Sequence, residues 1–231
     1  VDDGSGADEA GLEEPDPDEI VALEVTPAAI VIEATLGTPA SAPLRVTATT
    51  RGGDALDVTA VAAWRLPERP RVTIAGDGTV TTLGTSAGSG VATVTVREAT
   101  ATVDVAVTIV DTVLDGVTDE EASVFDVGIA PAGRDVTPVW TYPEDGTVYP
   151  AGLGPLDWRW TADGASAYRI ELSVGDHARF VAYTRTRSYR PTPAQWRLVE
   201  EAAGATVRAT VLAVEDIGRV AQRFAHSANS T

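Results

Sequence analysis

Apolar and polar side chains alternate at every second position along most of this chain, in short runs separated by turn residues. That period calls for extended strands with one face turned inward. Between Ala22 and Val110, Leu44, Val46 and Ala48 alternate with polar neighbours, as do Ala92, Val94 and Val96, then Val103, Val105, Val107 and Ile109. Arg51-Gly52-Gly53-Asp54 and Gly76-Asp77-Gly78 supply residues that tolerate the left-handed backbone of tight turns. Strands recurring at such intervals predict an antiparallel sandwich, with Trp64 on a central strand between its layers.

The pattern resumes from Pro138 with more aromatic residues. In GPLDWRWTADG, Leu156, Trp158 and Trp160 share one strand face, while Asp157, Arg159 and Thr161 share the other. Tyr168, Ile170, Leu172 and Val174 repeat the arrangement against Arg169, Glu171 and Ser173. The paired indoles therefore point with the aliphatic set into a core, where burial at ~25 cal/mol per Å² contributes several kcal/mol. Thr192-Pro193-Ala194-Gln195 carries the spacing of a capping box and opens a short helix with Trp196, Val199 and Ala203 on one face and Gly204 as its stop. ATVRATVLAV is a further strand, and RVAQRFA at 219–225 is the last.

A length of 231 residues suits two domains of this kind. The expected fold class is all-β: two antiparallel sandwiches, the second bearing one short helix, behind a disordered acidic tether. The boundaries are a tether at 1–20, a first sandwich at 21–110, a connector at 111–137 and a second sandwich at 138–231. Within the connector, a short helix is expected near Asp119 to Phe125, with Phe125 pinning it to a neighbouring domain.

Charge is distributed unevenly. The formal net charge is −17, with nine carboxylates and no base in the first twenty residues, whereas ten arginines face eight carboxylates from Ala151 onward. Self-repulsion and scarce apolar residues predict a solvated tether. A chain this acidic lacks the concentrated positive field of a nucleic-acid binder. No apolar run is long enough for a membrane-spanning helix. The start at Val1 fits a trimmed product, and a lipidated cysteine ahead of it would give the only membrane attachment expected.

Two family resemblances follow from particular residues. VTP at Val25 to Pro27, Leu36-Gly37, the Trp64 strand, VTIAGDGTVTTLG from Val72 to Gly84 and the closing VATVTV and VDVAVTIV strands resemble the bacterial Ig-like group 2 domain over nearly ninety residues. That resemblance implies an Ig-like sandwich of surface and secreted bacterial proteins, used as a spacer or adhesion module. ASVFD from Ala122, TYPEDGTVYPAGLGPLDWRW from Thr141 to Trp160, YRIEL from Tyr168, VAYT from Val181 and TPAQWRLV from Thr192 resemble a fibronectin type III-like domain of large myxobacterial surface lipoproteins. Neither resemblance implies a catalytic residue.

The inventory for chemistry is sparse. The absence of cysteine removes thiol nucleophiles, disulfides and thiolate metal sites. His177, in a VGDHAR hairpin turn, and His226 stand in no triad or metal spacing, and the glycine-rich TSAGSG lacks the lysine of a phosphate loop. No catalytic residue, metal site or cofactor is therefore expected, and the chain reads as non-enzymatic. In RFVAYTRTRSYRP, alternation places Tyr183, Arg185, Arg187 and Tyr189 on one strand face with Arg190 beyond. Guanidinium forks beside phenol rings suit the carboxylates or sulfates of an acidic extracellular polysaccharide. The expected function is a cell-surface or secreted structural or adhesion module acting outside the envelope, with other surface proteins as partners; polysaccharide binding through this face is the alternative.

Overall fold

The structure is a computed structural model describing residues 20–126, 137–150, 152–202, 204 and 206–217. The acidic tether and the strand expected at 219–225 lie outside the described residues, apart from Ile20. In chain order the first half comprises β1 (Ile20–Thr26), β2 (Ala29–Thr35), β3 (Ser41–Pro43), β4 (Arg45–Thr50), β5 (Ala55–Asp57), β6 (Ala63–Arg65), β7 (Val72–Ile74), β8 (Thr79–Thr82), β9 (Gly88–Val96) and β10 (Ala99–Asp115). The second half comprises α1 (Asp119–Asp126), β11 (Val139–Tyr142), β12 (Trp158–Thr161), β13 (Ala167–Val174), β14 (Ala178–Thr184), β15 (Ser188–Tyr189), α2 (Pro193–Glu201) and β16 (Val207–Val214). The protein is all-β apart from these two short helices and one 3-10 turn among the described residues.

In the first sandwich, β1-β4-β5 and β3-β8-β7 form two three-stranded sheets, β6, β9, β10 and β2 belong to the larger sheet, and residues of all three sheets meet in one core. Every alternating apolar residue singled out above is buried here: Leu44, Val46 and Ala48, Ala92, Val94 and Val96, and Val103 through Ile109. Trp64 departs from expectation. Its strand β6 pairs only with β9 and ends the sheet, so the ring is half-buried against the core margin rather than central. Gly78 holds the GDG turn with φ +82 and accepts the Leu44 N–H at 2.9 Å, which brings β4 and the turn into backbone contact.

In the second sandwich, β11-β12-β15 forms one layer and β16-β13-β14 the other. Trp158 is 7% exposed and Trp160 2%, so the paired indoles belong to the interior. Trp140 meets both edge-on, at centroid distances of 6.0 and 5.9 Å, and Trp160 meets Tyr168 at 5.4 Å. Offset and edge-to-face rings add to plain area burial because the ring quadrupoles attract in that geometry. The outer face of β13 and β14 is covered as well. Val181 and Tyr183 pack with Val117, Ala122 and Ile217, and Phe125 of α1 lies 5.7 Å from the Tyr183 ring, the contact expected of that residue.

Two pairings are parallel, which alternation alone does not predict: β2 with β10, and β10 with β14. The second joins the two sandwiches. The residues at Asp111 to Asp115, expected as connector, are the last five of the 17-residue strand β10. One buried apolar cluster runs without a break from Val25 and Val46 through Val107 and Ile109 to Trp160 and Phe180.

Candidate functional site at the domain junction

Strand β10 is long enough to serve both sandwiches because alternation persists through Val113, with Ile109 buried and Val113 packed against the core. Along one edge, β9 pairs with it from Ala99 to Val107, and β14 then takes over from Ile109 to Asp115. The opposite edge is held by β2 from Asp104 to Val110. Successive residues in a strand direct their backbone groups to opposite sides. Accordingly the Ile109 N–H donates to the His177 carbonyl at 2.8 Å, while the Val110 carbonyl accepts from Leu36 on the other side at 2.9 Å. The sandwiches thus share a strand, with β9 and β14 meeting end to end beside it.

Side chains fasten that strand at three levels. The innermost is Gln195, which is 0% exposed. Its Oε1 accepts from the Thr192 backbone N–H and from the Tyr189 hydroxyl, both at 2.7 Å, and its Nε2 donates to Asp111 Oδ2 at 2.8 Å. The Thr192 hydroxyl accepts from the Gln195 N–H at 3.2 Å, completing the capping box expected of this stretch. A buried amide bonded at both its oxygen and its nitrogen fixes orientation, since each lost partner costs about 1 to 3 kcal/mol. Burial, with the Asp111 carboxylate close by, pushes the Tyr189 hydroxyl up to about 12, against the Gln195 bond, which lowers it.

Next along the strand, the buried Thr184 hydroxyl donates to Asp115 Oδ2 at 2.9 Å. Beyond the strand, Arg185 donates through Nε to the Gly116 carbonyl at 2.6 Å and through Nη2 to Glu121 Oε1 and Oε2 at 2.6 and 2.8 Å. Glu121 also caps α1: its Oε2 accepts from the Thr118 N–H at 3.1 Å, and Thr118 Oγ1 accepts from the Glu121 N–H at 3.3 Å. The Thr118 backbone bond and then the Arg185 guanidinium hold the Glu121 carboxyl below its usual range.

The five residues expected to share a ligand-binding face are placed apart. Strand β14 ends at Thr184, the chain bends over 185–187, and pairing restarts only at Ser188 in β15. The Tyr183 ring, 5% exposed, is buried under α1, and the Tyr189 ring, 9% exposed, lies inside against α2. Arg185 is engaged with Gly116 and Glu121, while Arg187 and Arg190 are exposed on either side of β15. Of the residues that hold the junction, Thr192 and Gln195 were legible as a helix cap. Asp111, Asp115 and Glu121 were not recognised, although Thr118-x-x-Glu121 has the same cap spacing.

Among the described residues, no group of three or more His, Asp or Glu side chains is placed to hold a metal ion, and no helix is long and apolar enough to cross a membrane. Among the described residues, the side chains of the junction are engaged in bonds that fasten β10.

No family model matches the chain, and no curated protein matches it in sequence. Solved structures that align with it include titin domains A168–A170, at 12% identity, covering 81% of this chain and 56% of that one, with a TM-score of 0.24. The four N-terminal Ig domains of a Dscam1 isoform align at 12% identity over 85% of this chain and 45% of theirs, with a TM-score of 0.25. Domains 3 and 4 of rat CD4 align at 10% identity over 80% of this chain and 99% of theirs, with a TM-score of 0.20. The chain thus spans about half the length of the titin and Dscam1 structures. Similarity at this level defines neither a family nor a shared partner. The Ig-like and fibronectin-like architecture rests on the strands described above.

Proposed function

We propose that this protein is a non-enzymatic spacer of the cell surface, a structural or adhesion module that holds whatever follows it at a fixed distance and angle from its point of attachment. The observation that carries this reading is the shared strand β10, paired with β14 over seven residues and fastened through Asp111, Asp115 and Glu121. Domains joined by a short polar linker move independently by default, whereas a continuous sheet and a continuous core resist bending. An enzyme that closes on its substrate has little use for so firm a junction.

The acidic segment before Ile20 supports a place outside the envelope. With nine carboxylates and no base it is suited to hold the sandwiches away from an attachment point, such as a lipid anchor upstream of Val1. The residues that resemble bacterial Ig-like group 2 and myxobacterial lipoprotein domains support the same placement. Rigidity is the testable core of the reading. These 231 residues contain no cysteine, so Thr100→Cys with Thr210→Cys gives two unique spin-label positions within them, one in each sandwich. Electron–electron double resonance should return a single narrow distance distribution, and Val113→Pro, which removes an N–H aimed at β14, should broaden it. A broad distribution in the unaltered background would refute the spacer reading.

A further inference from the structure

We propose that the cleft between the two sandwiches binds one neutral sugar residue. The cleft has a volume of about 300 Å³ and opens where β9 and β14 meet end to end beside β10. Small-ligand sites concentrate at domain interfaces, and ~300 Å³ is the lower end of their usual volume, room for one small ligand such as a single hexose. The first sandwich contributes Arg71, Gly88 and Ser89; the second contributes His177 from the β13–β14 turn and Leu198 and Glu201 from α2.

The cleft is built for a ligand with closely spaced donors and acceptors and no net charge. Arg71 and Glu201 cancel, so the walls impose no field favouring an ion. Arg71 already donates through Nε to the Ala87 carbonyl and through Nη1 to the Ser89 carbonyl at 3.4 Å. One nitrogen of each guanidinium fork is therefore occupied. Bidentate capture of a carboxylate or sulfate is weakened, while N–H groups remain that suit hydroxyl oxygens. Glu201 Oε2 accepts from the Ser86 hydroxyl across the junction at 3.1 Å, which orients the carboxylate and leaves Oε1 to accept from sugar hydroxyls. The His177 imidazole, half-buried and held at the turn by its own backbone bonds to Ile109 and Val174, has no side-chain partner among the described residues.

Gly88 makes the floor possible. Its φ is +123, a backbone conformation that other residues rarely adopt, and a Cβ there would lie 2.7 Å from Arg71 Nε, so glycine leaves room for the guanidinium against the start of β9. Val174, Ala178 and Leu198, all nearly fully buried, close the back of the cleft, whose accessible lining is mostly polar. This site shares no residue with the arginine and tyrosine stretch at 183–190, and it selects a neutral sugar rather than an acidic one. It stands independently of the spacer reading, because the spacer needs no ligand.

Isothermal titration of the full chain with D-glucose, D-galactose, D-mannose and N-acetyl-D-glucosamine, and with glycine as a zwitterionic and glutamate as an anionic competitor, tests the proposal. At least one sugar should bind with a Kd of roughly millimolar order, as expected for a few hydrogen bonds in a small cleft. Glu201→Gln, on an exposed helix position, and His177→Ala should each weaken binding about tenfold, the equivalent of ~1.4 kcal/mol. Circular dichroism should show both variants folded. No binding by any of the four sugars, preferential binding of glycine or glutamate, or sugar binding unchanged in both variants would overturn it.

Discussion

A single nitrogen of Arg185, Nη2, contacts both carboxylate oxygens of Glu121, at 2.6 and 2.8 Å, and so ties the end of β14 to the first turn of α1. Because Nε of the same guanidinium holds the Gly116 carbonyl, one side chain fixes both the exit of β10 and the start of the helix over its outer face. An arginine that alternation assigns to a ligand-binding face is thus engaged, while still exposed, in bonds to its own chain.

Replacing Arg185 with alanine should destabilise the protein by about 1 to 2 kcal/mol. An exposed ion pair contributes ~0 to 1 kcal/mol, and the bond to the Gly116 carbonyl adds a similar amount. Lysine should restore only part of this, since it lacks the fork that reaches two acceptors. Urea unfolding followed by tryptophan fluorescence gives the difference directly. The acid limb should change too. Glu121 titrates lower in the folded chain than in the unfolded one, so its contribution is present above its unfolded value near 4.5 and is lost as pH falls through the folded value. That loss should be smaller in the Arg185→Ala variant.

Gln195 offers a sharper test of the junction. Changing it to leucine keeps the volume but leaves Asp111, the Tyr189 hydroxyl and the Thr192 N–H without their partner. Stability should fall by about 3 kcal/mol or more, measured as a lower urea midpoint. Glutamate at the same position should be nearly as damaging at neutral pH, because it sets a second carboxylate against Asp111. It should recover in acid as one of the two takes up a proton. Equal stability of Gln195→Leu and the unaltered protein would mean that the buried network does not hold the strand.

What could be read from the sequence divides along a physical line. Alternation is local, so the buried faces at Leu44 to Ala48 and at Trp158 and Trp160 were accessible, as was the Thr192 to Gln195 cap. Pairing partners are not local. The segment DTVLD at Asp111 to Asp115 looks like solvated connector because its two carboxylates find partners, Gln195 and Thr184, only in the folded molecule. The Arg-Thr-Arg turn after Thr184 misleads for the opposite reason: polar residues in a bend mimic period two, so the alternation of residue types runs on past the end of the strand. Trp64 shows a third limit, since an apolar residue in a short strand does not say whether that strand lies at the centre or the edge.

Alkaline titration probes the Tyr189 environment. Its hydroxyl is pushed up to about 12 from an ordinary 10.0, chiefly by burial. The folded chain therefore retains a proton that the unfolded chain releases. The resulting stabilisation is complete below pH 10 and disappears as pH rises through 12. Tyr189→Phe removes the group, so stability between pH 10 and 12 should decline less steeply in that variant. At neutral pH the variant should lose about 1 kcal/mol for the missing bond to Gln195. Ultraviolet titration of the phenolates should show one late-ionising tyrosine fewer. An unchanged count would place Tyr189 in a wetter environment than the structure gives it.

The GDG turn separates two glycines that look equivalent in sequence. Gly78 has φ +82, and a Cβ there would sit 2.2 Å from the Leu44 carbonyl oxygen and 2.7 Å from Thr59 Cγ2. Gly76 lies outside the left-handed region and has open space around the same added atom. Gly78→Ala must push the turn away from β4, straining the Leu44 to Gly78 backbone bond at 2.9 Å and crowding Thr59, whose hydroxyl accepts the Val46 N–H at 2.9 Å. Backbone strain of ~1 to 3 kcal/mol combines with those lost bonds, so the first sandwich should be destabilised by about 3 kcal/mol or more. Gly76→Ala should change stability by no more than ~1 kcal/mol, in the stabilising direction if alanine restricts only the unfolded chain. Thermal unfolding by circular dichroism on the two variants side by side is sufficient. Similar midpoints for both would mean that the turn does not approach β4 as closely as described.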